Sequence, residues 1–223
     1  MYQTKQEIAY KHIKDSIISG AYKPGSRLVL SDLENEINIS NMPIREALRR
    51  LQSEGWVRSI AHKGVIISEI SLKDAEQNYG VRKVLEIYSA KDICRNITPE
   101  AVEKLKQLHG RMAESLSDPL RFREINYNFH FTIFEESRNN TILKVMQSLW
   151  DDGLRYQSTF YWFPERTLLS HKEHSAIITA LERRDVNEFK NISIKHTDRA
   201  INYIKELIKN PDRERAYELE HQN

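Results

Sequence analysis

Three of the eight histidines lie on helical stripes that are otherwise apolar or small. His130 shares its stripe with Phe122 and Phe134, His174 with Ile177, Ile178 and Leu181, and His196 with Ile192, Ala200 and Tyr203. A neutral imidazole is costly to bury without a partner, and imidazoles converging from separate helices are the donor set that zinc and similar borderline metals prefer. Asn126 precedes His130 by one helical turn on the same face, so its side-chain oxygen can join them. A divalent metal can thus gather Asn126, His130, His174 and His196. Any one of these histidines alone reads as a hydrogen-bonded core residue; the metal reading rests on three of them occurring on three different helices.

Three histidines leave a coordination position open for water, so a helical metalloenzyme of the zinc-hydrolase type is the alternative class. It would need a general base beside the metal, and none is identifiable. The only Glu-x-x-His is Glu218 to His221, so the paired motif of di-iron bundles is missing. No Gly-x-Ser-x-Gly or phosphate loop occurs, and the seven glycines never form Gly-x-Gly. Cys94 is the single cysteine, which excludes an intrachain disulfide, a zinc ribbon and a thiolate-held cluster, and reads as helix packing.

A second constellation runs from Asn41 to Gly55. Ile44, Ala47, Leu48 and Leu51 repeat at i, i+3, i+4 and i+7 and pack inward, while Asn41, Arg45, Arg49 and Gln52 share another face. Pro43 suits the first turn of such a helix. A polar, mostly basic helical face is what base edges and phosphates attract, and a guanidinium can pair with guanine O6 and N7 or clamp a phosphate. The charge distribution agrees: residues 1–70 hold ten Lys and Arg against eight Asp and Glu, whereas residues 71–223 hold 24 of each. The bare reading of this stretch is a small helical bundle with a solvated arginine face.

These residues need elements to carry them. Thr4 through Glu7 fits a capping box ahead of Ala9, Ile13 and Ile17; that helix should stop at Gly20, before a turn at Tyr22-Lys23-Pro24-Gly25. A second capping box, Ser31 to Glu34, opens a short helix with Leu33 and Ile37 facing inward, ending near Asn38. After the third helix, runs 56–60 and 65–70 read as two strands joined by Ala61-His62-Lys63-Gly64. Three helices and a hairpin in this order make a winged helix-turn-helix over residues 1–70. From Ser71 onward the chain reads as about six helices, opened by Ser71, Thr98-Pro99, Asp118-Pro119, Asn139-Asn140, Phe163-Pro164 and Asp185, and halted at Asn210-Pro211. The expected architecture is mainly α: the winged domain, an all-α bundle over residues 71–210, and a charged tail over 211–223. The charged opening run and the lack of about 20 consecutive apolar residues predict a cytoplasmic protein without a membrane partner.

The segment Gly25-Ser26-Arg27-Leu28, then Leu33 and Ile37, Pro43 through Leu51, and Glu54-Gly55-Trp56-Val57 resembles the N-terminal domain of the GntR regulators. The resemblance implies DNA contacts from the start of the second helix, the first turns of the third and the wing tip. Those positions are Ser31, Ser40, Asn41, Met42, Arg45, His62, Lys63 and Gly64, with Arg49 on the same basic face. Many relatives carry arginine at the position of Asn41, and asparagine prefers adenine edges, so the operator sequence cannot be borrowed from them.

Asn126 through Ile133 and Glu173 through Asp185, with His196 beyond, resemble the FCD ligand-binding domain of the FadR-type branch. In many relatives an Asp and three His hold a metal, whose coordination a carboxylate effector completes. Here Asn126 replaces that Asp; it can ligate through its carbonyl oxygen but brings no charge. The resemblance implies zinc or nickel as cofactor and a small organic-acid or sugar-acid effector. It also places Arg82 at the ligand cavity as a carboxylate clamp; a surface i, i+4 pair with Glu86 is the other reading. Arg155, Tyr156, Tyr161 and Trp162 are further candidates to line that cavity. The whole points to a homodimeric transcription regulator, repressor or activator, on a short palindromic double-stranded operator.

Overall fold

The computed structural model describes residues 3–69, 71–157 and 164–209, without the side chains of residues 119, 154–157, 164–165 and 207. The tail 211–223, Tyr161 and Trp162, and the side chains of Arg155 and Tyr156 therefore lie outside the described residues. The chain divides into two compact units, Met1–Ser71 and Leu72–Asn223.

The first unit runs α1 (Lys5–Ile18), β1 (Arg27–Leu28), α2 (Leu30–Ile37), α3 (Asn41–Ser53), β2 (Val57–Ile60) and β3 (Gly64–Ile67). Thr4 caps α1 as its sequence predicts: the Glu7 backbone N–H donates to Thr4 Oγ1, and the Thr4 N–H donates to the Glu7 carboxylate. Ala9, Ile13 and Ile17 of α1 are buried with Ile44, Ala47, Leu48 and Leu51, the four inward positions expected of α3. The start of α2 differs from expectation. Leu28 pairs with Val65 in a three-stranded antiparallel sheet of order β1-β3-β2, so the chain turns at Val29 and the helix begins at Leu30. Ser31 therefore falls inside the first turn, donating to Asp32 Oδ1 instead of capping the helix. A two-residue strand carries no readable alternation, which is why β1 was not expected.

The second unit contains six described helices: α4 (Leu72–Asn96), α5 (Pro99–Ala113), α6 (Pro119–Glu135), α7 (Asn140–Gln157), α8 (Pro164–Glu182) and α9 (Val186–Lys209). Four of the predicted openers cap their helices, while Phe163 lies outside the described residues. Thr98 accepts from the Ala101 N–H, Asp118 from Arg121, Asn139 from Thr141 and Ile142, and Asp185 from Asn187 and Glu188. Arg184 closes the far end of α4 by donating to the carbonyls of Cys94 and Ile97. Cys94 itself is buried, and that burial pushes its thiol up to about 11, as befits packing and not a nucleophile.

Helices α5 and α8 are joined by a reciprocal histidine clasp. His109 Nε2 lies 2.9 Å from the His171 carbonyl, His171 Nε2 lies 3.2 Å from the His109 carbonyl, and the rings stack at 3.8 Å. Burial, and then the neighbouring His109, lower the pKa of His171 below the usual 6.5. A base whose folded pKa is depressed binds fewer protons than the unfolded chain below the unfolded pKa, so this contribution is intact above about 6.5 and fades as pH falls. The urea midpoint should accordingly drop between pH 7.5 and pH 5.5, and His171→Phe should be less stable at pH 7.5 yet lose less over the same interval.

Candidate nucleic-acid interface and metal centre

In the first unit, α3 presents Met42, Arg45, Arg49 and Gln52 exposed and Asn41 half-buried, opposite its buried stripe. Met42 is 67% exposed on this face. Arg45 and Asn41 are joined directly, the Arg45 Nε donating to the Asn41 amide oxygen one turn back. Arg50 is used otherwise: its guanidinium lies 3.9 Å from the Tyr10 ring centroid and bonds Glu54 at 3.0 Å, which ties α3 to α1. Ser31 and Ser40 are exposed in the first turn of α2 and at the start of α3, and Ser40 makes no side-chain cap.

At the hairpin tip His62, Lys63 and Gly64 are exposed, with His62 at φ 63° and Gly64 at φ 80°. Both lie in the left-handed region that a tight reversal needs, and which a β-branched residue would resist. The sheet adds one group that sequence reading missed. Arg27 of β1 lies under the wing, its Nε 3.6 Å from where a Gly64 Cβ would stand. Nothing in the local pattern of Gly25-Ser26-Arg27-Leu28 reveals that pairing; only the β1–β3 register does.

In the second unit, α6, α8 and α9 bring His130, His174 and His196 together, each offering a ligand atom within 4.8 Å of the others. His130 Nε2 and His174 Nε2 are 3.2 Å apart. Two nitrogens on a tetrahedral zinc, with Zn–N of about 2.0–2.1 Å, stand about 3.3 Å apart, so this spacing fits the ion. His130 and His174 are buried, and burial lowers both far below the ordinary imidazole range, keeping them neutral as ligation requires. Burial also lowers His196, against an opposing hydrogen bond to Glu173. His174 Nδ1 is buried with no hydrogen-bond partner. The donor set thus fits a divalent metal.

His130, His196 and Asn126 line one cavity together with Arg82, Arg166 and Trp150. Asn126 is therefore on the same cavity as two of the histidines, while His174 lies fully buried behind it. Arg82 is 5% exposed, with its guanidinium 3.9 Å from the Trp150 ring centroid and 4.8 Å from that of Tyr79. Its Nε and Nη1 are buried without hydrogen-bond partners. The alternative reading of Arg82, a surface pair with Glu86, is overturned: both side chains are buried, and Glu86 is contacted by the Thr197 hydroxyl at 3.5 Å. Burial raises the Glu86 carboxyl to about 7, despite the opposing charge of Arg82. Gly153 of α7 permits the close approach, since a Cβ there would stand 3.4 Å from Asn78 Oδ1 and 3.5 Å from Arg82 Nη1.

A buried Arg82 with unused N–H groups on an aromatic floor can take a carboxylate bidentately, and a metal on the same cavity wall can take a second oxygen. Sequence reading missed Trp150, Arg166 and Glu173. The Arg166 Nη1 donates to Glu173 Oε2 at 3.2 Å, and Glu173 also receives Arg199. Burial alone would raise the Glu173 carboxyl, but the bond with His196 and the guanidinium of Arg166 hold it at about 2. The i, i+7 spacing of Arg166 and Glu173 on one helix face is the signal that could have found this pair.

Comparison with known proteins agrees with both halves. Residues 5–67 match the domain described as "Bacterial regulatory proteins, gntR family", and residues 77–199 match the FCD domain. The "Nta operon transcriptional regulator" of Aminobacter aminovorans is 26% identical over 196 residues, covering 86% of this chain and 90% of that protein. The "HTH-type transcriptional repressor RspR" of Escherichia coli is 24% identical over 209 residues, covering 89% and 88%. The solved structure of E. coli McbR/YncC superposes with a TM-score of 0.72 at 19% identity, covering 93% of this chain and all of that one. Among the described residues, no helix is long and apolar enough to cross a membrane. With a GntR helix-turn-helix followed by an FCD domain that matches more than half of its length, this chain belongs to the GntR family of bacterial transcription regulators and is a DNA-binding regulator, not an enzyme.

Proposed function

We propose that this regulator binds a short palindromic operator as a homodimer and that a small carboxylate, an organic or sugar acid, controls its operator affinity from a metal-containing cavity in the FCD domain. The observation that carries the reading is the pairing, on one cavity, of convergent imidazoles with a buried arginine whose Nε and Nη1 are unpartnered. His130, His174 and His196, with Asn126 as a neutral oxygen donor, hold zinc or nickel, and Arg82 clamps the effector carboxylate. Binding that favours one of two conformations shifts the population able to fit the operator.

On the DNA side, Asn41, Met42, Arg45 and Arg49 present base- and phosphate-directed groups from α3, with Ser31 and Ser40 beside them in sequence and His62, Lys63 and Gly64 at the wing. One recognition helix contacts few bases, so two copies related by symmetry are required for a specific site. An exposed apolar stripe on α4, with Val81 at 49%, Val84 at 64% and Tyr88 at 70%, supports self-association.

Three measurements test these roles. In gel-shift titrations on the operator, Arg45→Ala is expected to weaken binding about tenfold to a hundredfold, with a shallower salt slope; binding as tight as the parent's would remove α3 as the reading helix. Elemental analysis of the purified protein should find one divalent metal per chain, and His174→Ala should lose it; equal, near-zero metal in both would remove the metal site. In thermal-shift screens of small hydroxy- and dicarboxylates with zinc or nickel, stabilisation by the binding acid should vanish in Arg82→Ala. Undiminished stabilisation would take Arg82 out of the effector site.

A further inference from the structure

We infer that Glu173 is a positioning residue that fixes the hydrogen of His196 on Nδ1 and turns its Nε2 lone pair toward His130 and His174. This rests on the metal reading above for its purpose, though the tautomer can be measured without any metal. The His196 Nδ1 lies 2.6 Å from Glu173 Oε2, and an ionised carboxylate only accepts, so the hydrogen belongs to that nitrogen. The remaining nitrogen is then the one available to the cluster, where the His196 ring centroid stands 5.1 Å from that of His174 and 5.4 Å from that of His130.

The carboxylate is itself held from two further sides. It is 7% exposed, Arg166 Nη1 donates to Oε2 at 3.2 Å, and Arg199 Nη1 donates to Oε1. Arg166, 2% exposed, also donates from Nη2 to the His196 backbone carbonyl at 3.3 Å, tying the turn of α9 that carries the imidazole to the same network. His174 offers a contrast: its Nδ1 is buried without a partner, so no hydrogen bond at that nitrogen selects its tautomer.

Charge gives the arrangement a second consequence. Asn126, His130, His174 and His196 are all neutral donors, so a divalent ion among them would receive no negative charge directly. Glu173 is an anion one hydrogen bond away, and its pull on Nδ1–H makes the far nitrogen of His196 a stronger base. It can stabilise the ion through the imidazole without occupying a coordination position that the effector needs.

The test has two arms on the full-length protein. Long-range ¹⁵N–¹H correlation spectra of the metal-free native protein should place the His196 hydrogen on Nδ1, with Glu173→Gln giving a mixture of tautomers. Zinc titration against a chromophoric chelator should show Glu173→Gln binding about 10–100-fold more weakly than the native chain. A native His196 with its hydrogen on Nε2, or zinc affinity unchanged in a folded Glu173→Gln, overturns the inference. Failure of the underlying metal reading looks different: the native chain would bind zinc no better than His174→Ala while His196 still carried its hydrogen on Nδ1. The spectrum of the native protein decides the tautomer even if the variant does not fold.

Discussion

Polar groups taken out of water must find partners, and the helical domain is organised around that requirement. Its core contains three imidazoles, a carboxylate held between two guanidiniums, a second buried carboxyl, and Arg82 laid on an indole. Each would be costly in isolation. Neutrality deals with the imidazoles, burial pushes the Glu86 carboxyl toward its protonated form, and salt bridging deals with Glu173 and Arg166. Among the groups these devices leave unsatisfied, Arg82 Nε and Nη1 have no hydrogen-bond partner, and beside them two imidazole nitrogens stand at a spacing that a shared metal would fit.

The network also separates structural cations from those available to a ligand. Arg166 and Arg199 are committed to Glu173, and Arg184 to the carbonyls that end α4, whereas Arg82 lies over the rings of Tyr79 and Trp150 with its Nε and Nη1 unpartnered. The DNA-reading unit divides its arginines in the same way. Arg50 is bound over Tyr10 and to Glu54, stabilising the α1–α3 contact, while Arg45 and Arg49 stay on the exposed face. Position on the helix decides the role, since residues 45 and 49 are one turn apart and residue 50 is rotated by about 100° from its neighbour.

Much of the local structure was legible before any coordinates. Cap residues at Thr4, Thr98, Asp118, Asn139 and Asp185 satisfy the first N–H groups of their helices, and that chemistry needs only neighbours in the chain. The inward stripe of α3 follows from helical periodicity alone. The failures are equally instructive. Ser31 has the spacing of a cap yet does not cap, because the pairing of Leu28 with Val65 moves the start of α2 upstream. β1 and the placement of Arg27 beneath the wing depend on a partner strand nearly 40 residues later, information that no local window contains.

By itself the sequence determined which residues share a helix face, where the helices lie, and that three histidines would each meet apolar neighbours, because these follow from bond geometry and 3.6-residue periodicity. Only the tertiary structure decided that those histidines, on three different helices, meet one another, that Arg82 turns to Trp150 instead of Glu86, and that Glu173, adjacent in sequence to His174, serves His196. Periodicity fixes the direction in which a side chain leaves its own helix. The identity of what it meets depends on how helices pack, and that is a property of the whole core.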